Sequence, residues 1–152
     1  MSDMLSVSAI KNGTVIDHIV AGQGLRIIYL LGMQTNSNQV TIGLNLPSKR
    51  IGKKDLIKIE NRILTEDEAN EIVIFSPAAT INVINNFQVV DKIKTHLPTV
   101  TYGIFNCPNR LCVTQTEQVT SCYYIHEQGK KIKLICHYCE KEFDRDQVKV
   151  AV

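Results

Sequence analysis

Two stretches, "FNCPNRLC" at residues 105–112 and "CHYCEKEF" at residues 136–143, decide how the C-terminal third of the chain folds. They contain Cys107, Cys112, Cys136 and Cys139, two pairs of cysteines separated by 23 residues. Each pair brings two sulfurs within reach of one ion, and four thiolates suit a tetrahedral Zn²⁺. The alternative, two reduced pairs that are near each other by chance, explains neither spacing. We therefore predict a four-cysteine zinc site.

Four protein ligands leave the metal no open position for water or substrate, so its role is predicted to be structural and not catalytic. The segment after Leu97 has only 55 residues, a size at which burial of apolar surface alone gives marginal stability. Cys122 falls in an alternating strand pattern and is predicted to be a buried, inert thiol. His126 and His137 are interpreted as exposed rings and not as ligands.

Composition argues against two classes of protein. There are 10 basic against 9 acidic side chains before Pro98, and 7 against 6 after it, whereas a domain that binds nucleic acid through phosphates has a broad basic excess. The longest apolar run, "LRIIYLLGM", contains Arg26 and is shorter than the roughly 18 residues of a membrane span. "MSDMLSVSAI" has no basic or apolar leader region. We expect a cytoplasmic protein that contacts neither nucleic acid nor membrane.

The pattern of the N-terminal part alternates between strand and helix. Thr65 followed by Glu68 is a capping-box helix start, and Pro77 lies beyond its end. Period-two alternation places Leu56 and Lys58 on one strand face and Ile57 on the other. The predicted elements are a strand or hairpin over residues 7–19, a helix over 22–33, strands over 39–47 and 53–64, a helix from Thr65, and a hairpin over 79–94 with its turn at Asn85 and Asn86.

This order predicts an α+β chain with a boundary near Leu97 and Pro98. Residues 1–97 match a ferredoxin-like antiparallel sheet with two helices. Residues 98–152 contain short strand patterns and no convincing helix, which predicts a small all-β, zinc-ribbon-like domain.

A local basic cluster also stands out. It consists of Lys49, Arg50, Lys53, Lys54 and Lys58, with Asp55 as the only acidic residue among them. A solvated loop and strand edge is the ordinary explanation. However, Lys54 and Lys58 are four residues apart in a strand and share a face, so two ammonium groups could approach one polyphosphate. From their segments alone, Asp17, His18 and Asn82 are read as ordinary strand residues.

The chain contains no phosphate-binding glycine loop, nucleophile elbow or metal pair. An enzyme of ferredoxin-like fold would need a nucleophile or an acid–base pair in a pocket, and no such pair is visible. The other alternative is a zinc-ribbon protein that binds nucleic acid. Tyr123 and Tyr124 keep that alternative open because adjacent exposed aromatic rings can stack on bases.

Five phrases resemble the regulatory chain of aspartate carbamoyltransferase. They are "GTVIDHI" (13–19), "TIGLNLPS" (41–48), "GKKDLIKIEN" (52–61), "LPTVTYGIFNCPNRLC" (97–112) and "CHYCEKEF" (136–143), and their order and spacing cover nearly the whole chain. The resemblance implies a non-catalytic subunit in control of pyrimidine biosynthesis, with CTP and UTP as inhibitors and ATP as activator. It also implies a zinc domain that holds the catalytic chain, and N-terminal domains that pair within a dodecamer of six regulatory and six catalytic chains.

The same resemblance implies the residues of one nucleotide site. Asp17 and Lys58 would meet the ribose, His18 and Lys92 the phosphates, and Lys54 would assist. Phe87 departs from the family, whose well-known members have tyrosine at this position, so a hydroxyl contact is absent here. The residues implied for the base and ribose pocket and its wall are Ala9, Ile10, Val15, Asn82, Ile84 and Val89.

Overall fold

A computed structural model describes residues 9–35 and 37–151. The chain divides between His96 and Leu97 into two compact units, one residue before the predicted boundary. The start of the strand predicted over residues 7–19 lies partly outside the described residues. The N-terminal unit contains β1 (Gly13–Val20), α1 (Gly24–Leu30), β2 (Val40–Ser48), β3 (Gly52–Glu60), α2 (Glu66–Phe75), β4 (Thr80–Asn85) and β5 (Gln88–Ile93).

The N-terminal sheet has the strand order β2-β3-β1-β4-β5, and every neighbouring pair is antiparallel. The first four strands reproduce the predicted ferredoxin-like order, and β5 extends the edge as a fifth strand. On one face, cross-strand neighbours Ile57, Ile16 and Ile81 are at most 2% exposed. This face forms the core, and the other face is left for polar side chains.

Helix α1 is shorter than predicted, and its buried side differs in part. In the sequence, Leu25, Ile28 and Leu31 recur at helical spacing; Ile28 and Leu31 are buried as this spacing predicts, but Leu25 is 49% exposed. Gly24 and Ile27 complete the buried side of the helix. Gly24 belongs to this set because a Cβ there would lie 2.8 Å from the Asp55 carboxylate, so only glycine lets the helix start so close to β3.

Helix α2 begins as the sequence predicts. The Thr65 hydroxyl accepts a hydrogen bond from the Glu68 N–H at 3.2 Å, and the Glu68 carboxylate accepts one from the Thr65 N–H at 3.0 Å. This capping box satisfies two N–H groups that the first turn would otherwise leave unpaired. The Glu68 carboxylate also contacts the Arg62 guanidinium at 2.5 Å, which ties the helix start to the segment after β3.

The turn between β4 and β5 is displaced by one residue from its predicted position. Asn85 pairs with Gln88, so the two turn residues are Asn86 (φ 54°) and Phe87 (φ 65°). Two consecutive positive φ values define the tight hairpin turn that matches strand twist. Asparagine tolerates this conformation, but a bulky residue such as phenylalanine rarely adopts it. The Phe87 N–H donates to the Lys11 carbonyl at 2.9 Å, which anchors the turn.

Two β-bulges flank the same segment of β3. On β1, Asp17 and His18 together occupy the space opposite one β3 residue, between the pairs Ile16–Ile57 and Ile19–Asp55. On β2, the register shifts between Gly43 and Leu46. Each bulge inserts one extra residue into its strand and turns a side chain away from the regular pleat.

Asp55 holds both bulged strands in place from the core. It is 1% exposed, and its carboxylate accepts hydrogen bonds from three backbone N–H groups. These belong to Gly22 at 3.1 Å, in the loop after β1, to Gly24 at 2.9 Å, at the start of α1, and to Asn45 at 3.0 Å, in the β2 bulge. A single side chain therefore satisfies the backbone of two separate irregular segments.

We expect Asp55→Ala to destabilise the N-terminal unit by about 3–5 kcal/mol, because three N–H groups lose a charged acceptor in the interior. Urea unfolding followed by circular dichroism measures the change. Asp91→Ala, at an exposed aspartate of β5, is the matched control and should cost less than about 1 kcal/mol. Equal effects of the two substitutions would contradict the role given to Asp55.

The C-terminal unit is all-β apart from 3₁₀ turns, as predicted. Its four-stranded antiparallel sheet has the order β10-β9-β8-β6, and β7 pairs with β11. Among its described residues, the large side chains that are less than 2% exposed are Phe105, Tyr123, Leu134 and Val148. The strands are β6 (Val100–Tyr102), β7 (Phe105–Asn106), β8 (Cys122–Gln128), β9 (Lys131–Cys136), β10 (Glu142–Asp144) and β11 (Lys149–Val150).

Within the described part of the chain, none of the helices has both the length and the apolar character to cross a bilayer.

Candidate functional sites

The four predicted zinc ligands meet at one point of the C-terminal unit. The sulfurs of Cys107 and Cys139 are 3.7 Å apart, those of Cys112 and Cys136 are 3.8 Å apart, and all four lie within 4.8 Å of one another. These separations are too long for disulfides. They are close to the ~3.8 Å edge of a tetrahedron with metal–sulfur bonds of about 2.3 Å, so the residues present fit a metal ion.

Hydrogen-bond donors surround the sulfurs. The Thr114 hydroxyl donates to the Cys112 sulfur at 3.2 Å. Burial would raise the pKa of Cys139, but hydrogen bonds from the Asn109 side chain and the Lys141 N–H lower it to about 7. Burial instead raises the pKa of Cys136 to about 12. A bound cation would displace the proton of such a buried thiol, because the thiolate is the ligand.

Backbone geometry builds the two cysteine turns. In the first, the Cys112 N–H donates to the Asn109 carbonyl at 3.0 Å, and the Gln115 amide donates to the Cys107 carbonyl at 2.6 Å. In the second, the Glu140 N–H donates to the Cys136 carbonyl at 2.8 Å, with Glu140 at a φ of 60°. Both turns are therefore closed by hydrogen bonds of the chain itself.

The other sulfur and imidazole groups lie outside this cluster. Cys122 is a buried thiol on β8. The ring of His137 is exposed and lies 2.7 Å from the Tyr124 hydroxyl. The ring of His126 lies 3.0 Å from the Glu142 carboxylate. The burial of Cys122 and the exposure of His137 agree with the sequence predictions, whereas His126 is half-buried.

The paired-aromatic argument for nucleic-acid binding is wrong. Tyr123 is 1% exposed, and its ring packs edge-on against Phe105 with 5.8 Å between the centroids. Only Tyr124 of the pair is exposed. Adjacent residues on a strand point to opposite faces, so this pair cannot present two rings to successive bases.

The N-terminal sheet brings most of the other candidate residues to the face opposite the core. Lys58 lies directly across from Val15, Val15 from Asn82, and Asn82 from Lys92. These four residues form a row across β3, β1, β4 and β5, which we call the cross-strand row. In the next row of the same face, Gly13 lies across from Ile84, and Ile84 from Val89. Strand register, not proximity in sequence, assembles the set.

The β1 bulge adds Asp17 and His18 to one end of this face. The Asp17 carboxylate contacts the Lys54 ammonium at 2.8 Å and accepts a hydrogen bond from the His18 N–H at 2.6 Å. Burial opposes ionisation of Asp17, but these partners hold its pKa below the usual value. His18 has a φ of 57°, and its ring nitrogen Nδ1 lies 3.3 Å from the Thr80 hydroxyl. Strained backbone of this kind persists where surrounding structure enforces it, commonly at functional sites.

Lys58 is the most buried cation of the face, at 7% exposure. Loss of hydration lowers the pKa of its ammonium group, and the nearby charge of Lys54 lowers it further, while the charge of Asp17 raises it. The N-terminal unit therefore keeps a poorly hydrated cation beside a carboxylate. An anionic ligand would favour the charged form of this ammonium group further.

Ala9 is exposed and Ile10 is buried in the segment that precedes β1.

Sequence reasoning missed two residues of the polar face. Thr41 lies across from Lys58 on β2, and Thr80 is the partner of His18. Alternation from Asn82 could have indicated Thr80, which is two residues earlier on the same strand. Thr41 could be placed only with the strand register in hand.

Fold and sites together define a two-unit metal-binding protein: a ferredoxin-like unit with a cationic open face, followed by a four-cysteine ribbon. Two family models cover nearly the whole chain. Residues 5–96 match the aspartate carbamoyltransferase regulatory chain, allosteric domain, and residues 99–149 match the metal binding domain of the same chain. The chain belongs to the aspartate carbamoyltransferase regulatory chain family.

Relatives named aspartate carbamoyltransferase regulatory chain support this assignment. The protein of Chromobacterium violaceum is 50% identical over 143 residues, which is 94% of each chain. That of Vibrio campbellii is 47% identical, over 95% of this chain and 94% of its own. That of Pyrococcus horikoshii is 44% identical over 95% of each chain. These names describe a regulatory, non-catalytic subunit, in agreement with the expectation that the chain is not an enzyme.

Proposed function

We propose that this chain binds nucleoside triphosphates at the cross-strand row and transmits their effect to the catalytic chain of aspartate carbamoyltransferase. CTP and UTP act as inhibitors and ATP as activator, which gives control of pyrimidine biosynthesis in the cytoplasm. Residues 1–97 form the allosteric domain, and residues 98–152 hold the catalytic chain. The observation that carries the proposal is the convergence of Lys54, Lys58 and Lys92 with Asp17 on one face.

The chemistry of this face suits such a ligand. Ammonium groups attract a polyphosphate, and the Asp17 carboxylate can accept hydrogen bonds from ribose hydroxyls. Ala9, Ile10, Val15, Ile84 and Val89 supply the apolar contacts that a base needs, and Asn82 supplies an amide. Phe87, 61% exposed at the β4–β5 turn, offers a ring without a hydroxyl. His18, beside Asp17, completes the phosphate contacts.

The metal in the C-terminal domain is Zn²⁺, one per chain, and its role is structural. Support comes from the match to a metal-binding domain and from four sulfurs at tetrahedral separations. Zinc with four thiolates is a closed site. The centre therefore shapes the surface that meets the catalytic chain and takes no part in a reaction.

Regulatory chains pair through their N-terminal domains and join six catalytic chains in a dodecamer with six regulatory chains. Among the described residues, no strand pairs with the outer side of β2, and this edge strand exposes Ile42 and Leu44. An edge with apolar side chains favours pairing with another chain. A nucleotide shifts the assembly between quaternary states only by its differential affinity for them, so we expect a coupling of about 1–3 kcal/mol.

Calorimetric titration of CTP, UTP and ATP into the full chain, alone and assembled with the catalytic chain, tests this proposal. We expect one competing site per chain, and affinities that change on assembly. Sedimentation of the same samples is expected to show a dimer of the free chain. If none of the three nucleotides gives a detectable heat of binding, the effector proposal is overturned. If the free chain sediments as a monomer at micromolar concentration, the proposed pairing of regulatory chains is overturned.

A further inference from the structure

Tyr123 sits between the two cysteine turns of the C-terminal unit. It lies on β8 directly across from the ligand Cys136 on β9. Its ring packs edge-to-face against Phe105, which is two residues before the ligand Cys107. At 1% exposure, the side chain has no freedom to turn toward solvent. Strand pairing and ring packing therefore fix it beside the metal ligands.

The hydroxyl of Tyr123 lacks an ordinary partner. It is fully buried and makes no hydrogen bond of normal geometry within residues 9–35 and 37–151. Folded proteins seldom leave a buried hydroxyl in this state, because its hydration is lost without replacement. The strand pairing with Cys136 and the ring contact with Phe105, two residues before Cys107, place this hydroxyl in the part of the unit that holds the sulfurs.

Cys107 is the sulfur best placed to receive this proton donor. The Tyr123 ring contacts Phe105, which is two residues before Cys107 in the chain. Cys112 already receives the Thr114 hydroxyl. Four thiolates on a divalent ion carry a net charge of −2, and donors to the sulfurs distribute that charge. Partners of this kind orient metal ligands and strengthen metal retention.

We propose that Tyr123 is a positioning residue of the metal centre and that its hydroxyl donates a hydrogen bond to the Cys107 thiolate when the metal is bound. The inference rests on metal binding by the four cysteines, which is part of the proposed function. It extends that function to a side chain that is not itself a ligand. A metal-bound thiolate carries negative charge, so a hydrogen bond that it accepts from the phenol is charge-assisted.

Tyr123→Phe in the full chain tests the proposal, because it keeps the ring against Phe105 and removes only the hydroxyl. We expect a 10- to 100-fold loss of Zn²⁺ affinity, measured by competition with a chromophoric chelator. In the Co²⁺-substituted protein, the sulfur-to-cobalt charge-transfer bands are expected to shift. Tyr124→Phe, the exposed neighbour on the same strand, is the matched control and should change neither quantity.

Equal Zn²⁺ affinity and identical cobalt bands in wild type and Tyr123→Phe would overturn the proposal while leaving metal binding intact. A wild-type chain that binds no Zn²⁺ would overturn the metal site itself. If Tyr123→Phe fails to fold, NMR spectroscopy of the wild-type chain loaded with ¹¹³Cd²⁺ tests for the hydrogen bond directly. A slowly exchanging Tyr123 hydroxyl proton with scalar coupling to cadmium supports the hydrogen bond, and a rapidly exchanging, uncoupled proton refutes it.

Discussion

Removal of Zn²⁺ by a chelator is expected to unfold the C-terminal unit and to leave the N-terminal unit folded. Structural zinc contributes on the order of 10 kcal/mol of binding free energy that counts as folding free energy. That exceeds the stability which the small core around Phe105, Tyr123, Leu134 and Val148 provides in a domain of this size. The N-terminal unit has its own core of Ile16, Ile57, Ile81 and their neighbours, so its folding does not depend on the metal.

Two-dimensional NMR of the full chain, before and after chelation, gives the measurement. Dispersed amide signals of residues 97–152 should collapse and should return when Zn²⁺ is restored. Cys136→Ala is expected to have the same effect at any zinc concentration. Cys122→Ala, at a buried cysteine outside the cluster, should keep the metal and the signals. A chelated sample with dispersed C-terminal signals and intact partner binding would contradict the prediction.

Lys58→Met is expected to abolish most of the nucleotide response while stabilising the free chain. Loss of one charged hydrogen-bond partner costs about 1.5–3 kcal/mol, which corresponds to a roughly 10- to 100-fold weaker affinity. The free chain gains stability because a cation that is 7% exposed is replaced by an apolar side chain of similar length. Residues that bind a ligand often reduce the stability of the fold, which is the usual trade-off between stability and function.

The pH dependence of the stability gain follows from the lowered pKa of Lys58. Below the folded-state pKa, the wild-type fold carries the full cost of a buried charge. Between that pKa and the ordinary lysine value, the unfolded chain binds more protons, so wild-type stability rises with pH. The advantage of Lys58→Met should therefore be largest near neutral pH and should shrink as the pH rises. Nucleotide affinity of the wild type should fall over the same alkaline range.

Lys53→Met is the control for this substitution. Lys53 is exposed and, as an odd-numbered residue of β3, points away from the face of Lys54 and Lys58. Calorimetry on the free chain measures the nucleotide affinity, and activity assays on the reconstituted enzyme measure the nucleotide response. Thermal unfolding of the free chain measures the change in stability. An unchanged nucleotide response in Lys58→Met would exclude Lys58 from the site. Equal losses in both variants would indicate a general charge effect.

Local patterns in the sequence were sufficient where the interaction itself is local. The Thr65–Glu68 capping box, the face of Lys58 and the two cysteine turns depend on residues at most five positions apart. Each was predicted correctly as structure. The four sulfurs are distant in sequence, but metal chemistry links the pairs without any knowledge of the sheet.

Features that depend on strand register were not predicted from the sequence. The β1 bulge exists because Ile16 and Ile19 both enter the core although three positions separate them, and only their pairing with β3 reveals this. The positive φ of Phe87 results from the neighbouring strands and the Lys11 carbonyl, not from the preference of phenylalanine. The burial of Tyr123 and the three partners of Asp55 are long-range contacts. Sequence alone gives no measure of such contacts.

Under the proposed function, the β1 bulge also separates the architecture of the chain from ligand recognition at the genetic level. Loss of the codon for His18 would restore strict alternation between Ile16 and Ile19, so the hydrophobic core and the strand order would survive. The same deletion would remove the kink that brings Asp17 against Lys54. One in-frame deletion is thus an evolutionary route from a responsive subunit to a purely architectural one, and the reverse insertion is a route by which an inert sheet acquires sensitivity to metabolites.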